Sequence, residues 1–369
     1  DPDLLARAAL GTAGFAVSVG PVRDQVRALL EEALAGVAED SALRPRLLAR
    51  LAIELYYAPQ AELRERLSAE SLAAGRRAGG PALLEALGAR HVALWSPAHT
   101  EERLTIADEL VAAARAAGDR EAELQGINWR VADLFEIGDL DALTAAIAEH
   151  ERLAAELRLP SFAWYVPLWR ATLALLGGRL DEAQRLSEQG ARIGRLAHDE
   201  NAELLFGVQR RSIRMSGGDL PDEDDHAMIG RSIERSPARC AWRAARALWA
   251  TVSGDLGLAR RELEEGVAEL AAASLDANWL YAANCLGTVA ARLEDVAAAA
   301  EVYLRLRPYG HRVVTVGRGS FCSGSASLAL GLPAARSPAC ARAPPRPRRP
   351  SRSSSSGVAD TVREGLTMA

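Results

Sequence analysis

Apolar positions recur along most of this chain at alternating steps of three and four residues. Ahead of Gly178 they fall on Trp164, Leu168, Ala171 and Leu175. After it they fall on Ala183, Leu186, Gly190, Ile193 and Ala197, and after Gly254 on Ala259, Leu263, Gly266 and Leu270. Such spacing gathers each set into one stripe along a helix. Between the stripes sits a short turn with a recurring vocabulary: Gly138-Asp139-Leu140-Asp141, Gly178-Arg179-Leu180-Asp181, Gly218-Asp219-Leu220 and Gly254-Asp255-Leu256. These turns lie 40, 40 and 36 residues apart, and a weaker copy, Glu294-Asp295-Val296, follows 40 further on. Steps of 40 in the other direction land on Ala98-His99-Thr100-Glu101 and Ala58-Pro59-Gln60-Ala61, both at breaks between helical patterns. Gly ends a helix at low steric cost, and Asp in the turn can cap the next one.

A unit of two such helices cannot bury its stripes alone, so neighbours must stack. The expected fold is all-α: a tetratricopeptide-like superhelical solenoid of two-helix repeats with a period of about 40, in about seven or eight units. Ala and Leu, both strong helix formers, dominate the composition. The turn at Gly218 departs from the rest. Leu220-Pro221-Asp222-Glu223-Asp224-Asp225 places Pro and four acids where the second helix should begin, which predicts a loop or a late helix start.

The repeat is expected to occupy residues 1–332. Residues 311–331 read as a short extended segment leading into a small-residue helix. From residue 333 to 369 the text turns to Arg, Pro and Ser, including Pro344-Pro345-Arg346-Pro347-Arg348-Arg349-Pro350 and four Ser at 353–356. Pro at this density forbids helix, and the composition is that of disorder. The abrupt loss of the repeat suggests a frameshift near residues 332–333; the alternative is a genuine basic tail for nucleic acid or an acidic partner.

Charge narrows the function classes. Net charge is −5, but residues 333–356 hold six Arg and no acid, so the remainder carries 38 basic against 49 acidic residues, or −11. That balance argues against a nucleic-acid surface on the repeat. All 44 basic residues are Arg. Without Lys, the chain has neither a Walker-type phosphate loop nor Schiff-base chemistry. Cys240, Cys285, Cys322 and Cys340 form no metal or disulfide spacing, no apolar run approaches a membrane span, and no secretion signal is visible, so a cytoplasmic setting is expected. The chain starts at Asp1 rather than Met, as a fragment or trimmed product does.

Candidate chemistry is sparse. Gly317-Arg318-Gly319-Ser320 reads as a phosphate loop or, more simply, as a connector whose small residues let helices approach. Asp222 to His226 reads as a divalent-cation loop or a solvated acidic one. No His pair has metal spacing, no nucleophile elbow occurs, and neither a catalytic residue nor a cofactor or metal is expected in this chain. The seven Trp residues are the exception in a chain only 5% aromatic, and most lie on first helices of units. They pack the core or line a concave recognition groove. For the second reading the candidate partner-binding residues are Asn128, Trp129, Arg130, Trp164, Tyr165, Trp169, Arg170, Trp242, Arg246, Asn278, Trp279 and Asn284. Arg beside Trp suits an acidic peptide or an anionic ligand.

One ordered set of segments resembles a known family: Ala52-Ile53-Glu54-Leu55-Tyr56-Tyr57, Ala93-Leu94-Trp95, Gln125-Gly126-Ile127-Asn128-Trp129-Arg130, Trp164-Tyr165-Val166, Leu205-Phe206-Gly207-Val208-Gln209, Asp276-Ala277-Asn278-Trp279 and Leu306-Arg307-Pro308-Tyr309. Over residues 10–331 the chain resembles the C-terminal helical-repeat region of large bacterial ATP-binding regulators, of the LuxR-type or cyclase-linked kind. The resemblance implies a non-enzymatic region that senses an inducer or a protein partner on its concave face. ATP is then expected only in a separate N-terminal module. The alternative is a free-standing adaptor that binds a peptide or helix.

Overall fold

The computed structural model describes residues 1–11, 23–58 and 60–336. Its helices are α1 Pro2–Gly11, α2 Asp24–Gly36, α3 Arg44–Glu54, α4 Ala61–Ala78, α5 Gly80–Ala93, α6 Thr100–Ala117, α7 Arg120–Ile137, α8 Leu140–Leu157 and α9 Pro160–Ala163. They continue as α10 Tyr165–Leu176, α11 Leu180–Leu196, α12 Glu200–Ser216, α13 Glu223–Arg235, α14 Arg239–Ser253, α15 Leu256–Ala272, α16 Trp279–Arg292, α17 Val296–Leu306 and α18 Ala326–Arg336. Between α17 and α18 lie the strands β1 Val313–Val316 and β2 Phe321–Ser325. No helix among the described residues is long and apolar enough to cross a membrane.

Most helices pack on their neighbours in sequence, and several also on the helix two further along, as α3 does on α4 and α5, and α14 on α15 and α16. The core is accordingly spread along the chain. One buried cluster joins Ala6 to Leu67, the next runs from Ala49 to Trp129, and the last from Ala244 to Ala329. This is the all-α solenoid of two-helix units that the periodicity predicts. α18 extends through Arg336, and the rest of the Arg/Pro/Ser-rich tail lies outside the described residues.

The turns behave as their residues dictate. Gly138 and Gly254 adopt φ of 83°, a left-handed conformation that costs Gly little. Asp139, Asp255 and Asp295 then accept from the amides of Ala142, Leu258 and Ala298 at 2.9 to 3.1 Å, capping α8, α15 and α17. Arg179 occupies the same position before α11 and makes no cap bond. A second series, at the junctions between units, has the same period. Gly118, Arg158 and His198 are all left-handed, and Asp119 and Asp199 cap α7 and α12. Arg and His in place of Gly hide this series from a search for Gly-Asp. At the irregular unit α13 does start late, at Glu223. Asp222 and Asp225 form a reciprocal capping box there, and Arg214 bonds to both Asp219 and Asp222.

Small residues set how closely helices cross. A Cβ on Gly75 of α4 would sit 2.9 Å from both the Ala82 carbonyl oxygen and the Ala86 Cβ on α5. Neither neighbour is a flexible side-chain end. Gly75→Ala is therefore expected to cost about 1–3 kcal/mol, read as a lower urea midpoint at unchanged slope. An unchanged midpoint would mean that α4 and α5 part freely. On α11 the buried face is Ala183, Ser187, Gly190, Ala191 and Gly194, while Leu186 and Ile193 are only half-buried. The interface has rotated towards the small residues because Phe206 and Ala202 of α12 fill the space over Gly190 and Gly194.

The superhelix returns on itself. Tyr56, just after α3, donates from its hydroxyl to the Trp95 carbonyl at 3.1 Å and accepts from the Ala277 amide at 2.9 Å. Asn278 hydrogen-bonds to the Tyr57 hydroxyl beside it. The segment ahead of α16 thus touches the first units of the array across 221 residues of sequence.

Candidate functional site

The inner helices do not surround an empty groove. β1 and β2 pair antiparallel, Val313 with Ser325 and Val316 with Phe321, and their turn projects into the lumen. The extended segment anticipated around residue 313 is therefore half of a hairpin. It packs on α7, α10, α12 and α16. Arg312 ties its base to Glu101 of α6 at 2.5 Å, and this contact holds the Glu101 carboxyl below its usual range.

The turn is gripped through its carbonyl groups. The Trp169 indole donates to the Arg318 carbonyl at 2.8 Å. Thr172 Oγ1 lies 2.8 and 2.9 Å from the Gly319 and Ser320 carbonyls, with one proton to give. Gln209 Nε2 donates to the Ser320 and Leu168 carbonyls, both at 2.8 Å. Gly319 is left-handed, and a Cβ there would meet the Phe135 ring at 2.6 Å. So Gly317 to Ser320, read from sequence as a phosphate loop or a small-residue connector, is a turn whose small residues permit close seating.

Between the hairpin and the inner helices lies a cavity of about 350 Å³. Aromatic and aliphatic side chains make up most of its wall, among them Tyr57, Trp95, Tyr165, Leu204, Leu205, Met215, Met228, Trp242, Leu248, Trp249, Tyr281 and Phe321. Polar groups are few: Arg211, Arg318, Glu136, Asn201, Asn278, Asn284 and several hydroxyls. A volume and lining of this kind suit an organic molecule of modest size.

The residues singled out from sequence divide into four groups. Tyr165, Trp242, Asn278 and Asn284 line the cavity, and Asn284 also donates to Ser323 Oγ at 3.3 Å. Asn128 and Trp169 contact the hairpin turn, Asn128 through Arg318 Nη1 at 3.4 Å. Trp129, Trp164 and Trp279 are buried in helix packing: Trp129 stacks on His91, Trp164 stacks on Tyr165 and donates to Asp199, and Trp279 meets the edge of Tyr309. Arg130, Arg170 and Arg246 are not in the lumen. They pair with Asp108 and Glu149, with Glu151, and with Glu262 respectively.

The cations that do line the cavity are Arg211 and Arg318. Arg211 is 4% exposed, lies 5.2 Å from the Trp249 ring and pairs with Asp225. That pairing is off the N–H directions, so none of its three guanidinium nitrogens makes a hydrogen bond among the described residues. Arg318 is half-buried between the Trp95 and Tyr165 rings, at 5.6 and 5.7 Å. The only sequence signal for either was the Gly-Arg-Gly turn, read there for its glycines.

Deeper, under Trp95, lies a buried polar network. Arg103 Nη2 bonds to Glu136 at 2.8 Å and lies 3.4 Å from Asp133 Oδ1, while His91 Nε2 lies 2.8 Å from Asp133 Oδ2. Burial holds His91 below its usual range, so the ring is neutral and its proton sits on Nε2, facing the carboxylate. Burial also pushes the thiols of Cys240, Cys285 and Cys322 up to about 12, which keeps them as thiols rather than nucleophilic thiolates. No cluster of His, Cys, Asp and Glu among the described residues could hold a metal ion.

No family profile matches the sequence, and no curated protein matches it. Among solved structures, that of a Rap protein complexed with competence and sporulation factor aligns with a TM-score of 0.44 and 14% identity, covering 77% of this chain and 69% of that one. A likeness at this level bears on neither ligand nor partner.

Proposed function

We propose that this solenoid is a non-enzymatic sensing region, and that it receives a small inducer in the lumen between the hairpin and the inner helices. The observation that carries the reading is the cavity of about 350 Å³, apolar over most of its wall and supplied with a few fixed polar groups. The hairpin turn takes up the donors of Trp169, Thr172 and Gln209 and leaves a compact space beside it. The setting we propose, from the resemblance of the repeat segments, is a bacterial ATP-dependent transcriptional regulator whose nucleotide-binding module is separate from this region.

Binding of the neutral fluorophore N-phenyl-1-naphthylamine tests the site. The wild-type chain is expected to bind it, and Ala241→Phe, which fills the cavity from α14, to bind it at least about tenfold more weakly at unchanged helix content. Equal binding by the variant would place the dye elsewhere and remove the support for a lumenal site. The regulator setting is tested at the gene. An open frame running upstream of Asp1 into a phosphate-loop ATPase supports it, and an initiator codon immediately before Asp1 overturns it in favour of an adaptor.

A peptide-binding adaptor is the second reading. It draws on the buried donors of Trp169, Thr172 and Gln209, which hold the carbonyls of a turn much as they would hold those of a bound peptide. In this fold the chain's own hairpin already satisfies them.

A further inference from the structure

The charge along the cavity wall is uneven. Its lining includes two guanidinium groups and one carboxylate, Glu136. Glu136 is already engaged, by Arg103 and by the Thr100 hydroxyl. Arg318 has no such partner. Its Nη1 donates to the Tyr165 hydroxyl at 2.9 Å and reaches Asn128 Oδ1 at 3.4 Å, and both acceptors are neutral. Among the described residues no carboxylate pairs with it, although Arg130, Arg170 and Arg246 all have one.

This cation is placed, not merely present. Arg318 holds a left-handed backbone with φ of 59°, which is uncommon outside Gly. The gripped carbonyls of residues 318 to 320 and the close seating of Gly319 against Phe135 fix that conformation. The Trp95 and Tyr165 rings lie 5.6 and 5.7 Å from the guanidinium carbon, within cation–π range. A half-buried cation without a counter-ion gains most from an anion delivered to its free N–H groups. Arg211, almost fully buried on the same cavity, is already paired with Asp225, which leaves Arg318 as the cation there without a counter-ion among the described residues.

We infer that the lumenal ligand is a small organic anion: an aromatic or aliphatic body carrying a carboxylate or sulfonate, with the acidic group held at Arg318. The inference rests on the small-ligand reading above and adds the chemistry of what is bound. The body would lie against Trp242, Trp249, Tyr281 and Phe321, which line the same cavity.

Two naphthalene dyes test it, 8-anilino-1-naphthalenesulfonate and the neutral N-phenyl-1-naphthylamine, titrated into the full chain and followed by fluorescence. Arg318→Gln is expected to weaken the sulfonate by about tenfold and the neutral dye by less than about twofold. Arg318→Lys keeps the charge and is expected to hold sulfonate binding within about threefold of wild type. Equal losses of both dyes in Arg318→Gln would make Arg318 a structural residue of the turn and overturn the inference. So would unchanged sulfonate binding, or a wild-type lumen that takes the neutral dye and refuses the anion; in the last case the small-ligand reading survives alone. Binding of neither dye to wild type overturns that reading and this one with it.

Discussion

Arg103→Met is expected to destabilise the solenoid by about 3–5 kcal/mol, because it strands two carboxylates in the interior. Arg103 is 1% exposed, and its guanidinium bonds to Glu136 and pairs with Asp133. Met matches the stem and supplies none of the charge. Asp133 keeps only the neutral His91 ring, and Glu136 keeps the Thr100 hydroxyl. The cost comes from the carboxylates left behind more than from the lost bonds. Arg103→Met combined with Asp133→Asn and Glu136→Gln is therefore expected to recover much of it. Urea unfolding measures both. A loss below about 1 kcal/mol in the single variant would mean that water reaches the network. No recovery in the triple variant would mean that the place of the Arg103 guanidinium over the Trp95 ring, 5.8 Å from its centre, matters more than its pairing with the two carboxylates.

The second large effect is a pH dependence centred on His150. This residue of α8 is fully buried among Phe162, Tyr165 and Trp169, and neither ring nitrogen has a hydrogen-bond partner among the described residues. Burial alone pushes it down to about 3 from its ordinary 6.5. The unfolded chain therefore takes up a proton at a pH where the folded chain refuses it. Stability from this group is complete above about pH 6.5, falls as the pH drops towards 3, and is flat below. The slope is at most ~1.4 kcal/mol per pH unit. His150→Leu removes the titration. Between pH 7.5 and 4.5 the stability difference between variant and wild type should move by roughly 2–3 kcal/mol in favour of the variant. A difference independent of pH would show that His150 is hydrated in the folded chain.

Much of the architecture is written in local chemistry. The Gly-Asp turns at 138 and 254 carry both the helix stop and the cap, so period and register follow from a few residues. The Pro and acids at 221 to 225 likewise announce the late start of α13. The hairpin is a different matter. Val313 to Val316 and Phe321 to Ser325 are too short, and the second too rich in Gly and Ser, to show a strand period. What holds their turn in the lumen is Trp169, Thr172 and Gln209, more than a hundred residues earlier. Tryptophan was ambiguous for a related reason. The same helical position serves Trp129, which stacks in the core, and Trp169, which reaches the turn. Spacing alone does not separate them, because both lie on inward faces. Arg beside Trp does not by itself place a cation in the lumen, since Arg130, Arg170 and Arg246 each pair with an acid from another helix. Arg318, which does line the cavity, sits on the hairpin and is brought to Asn128 and Tyr165 only by the tertiary fold.

The hydrogen bond between Tyr56 and the Ala277 amide turns a line into a loop. In an open array each unit leans on two neighbours, the terminal ones lean on one, and melting starts at the frayed ends. Here an early unit and a late one are also each other's neighbours, so the segment between them has no free end from which to peel. Opening any unit inside that loop must strain or break the clasp, which couples distant units and sharpens the transition. The same clasp joins parts of the chain that assembly brings together last, since a contact across 221 residues carries a large closure entropy. The lumen is therefore expected to be completed late in folding, when the ring shuts around its own hairpin.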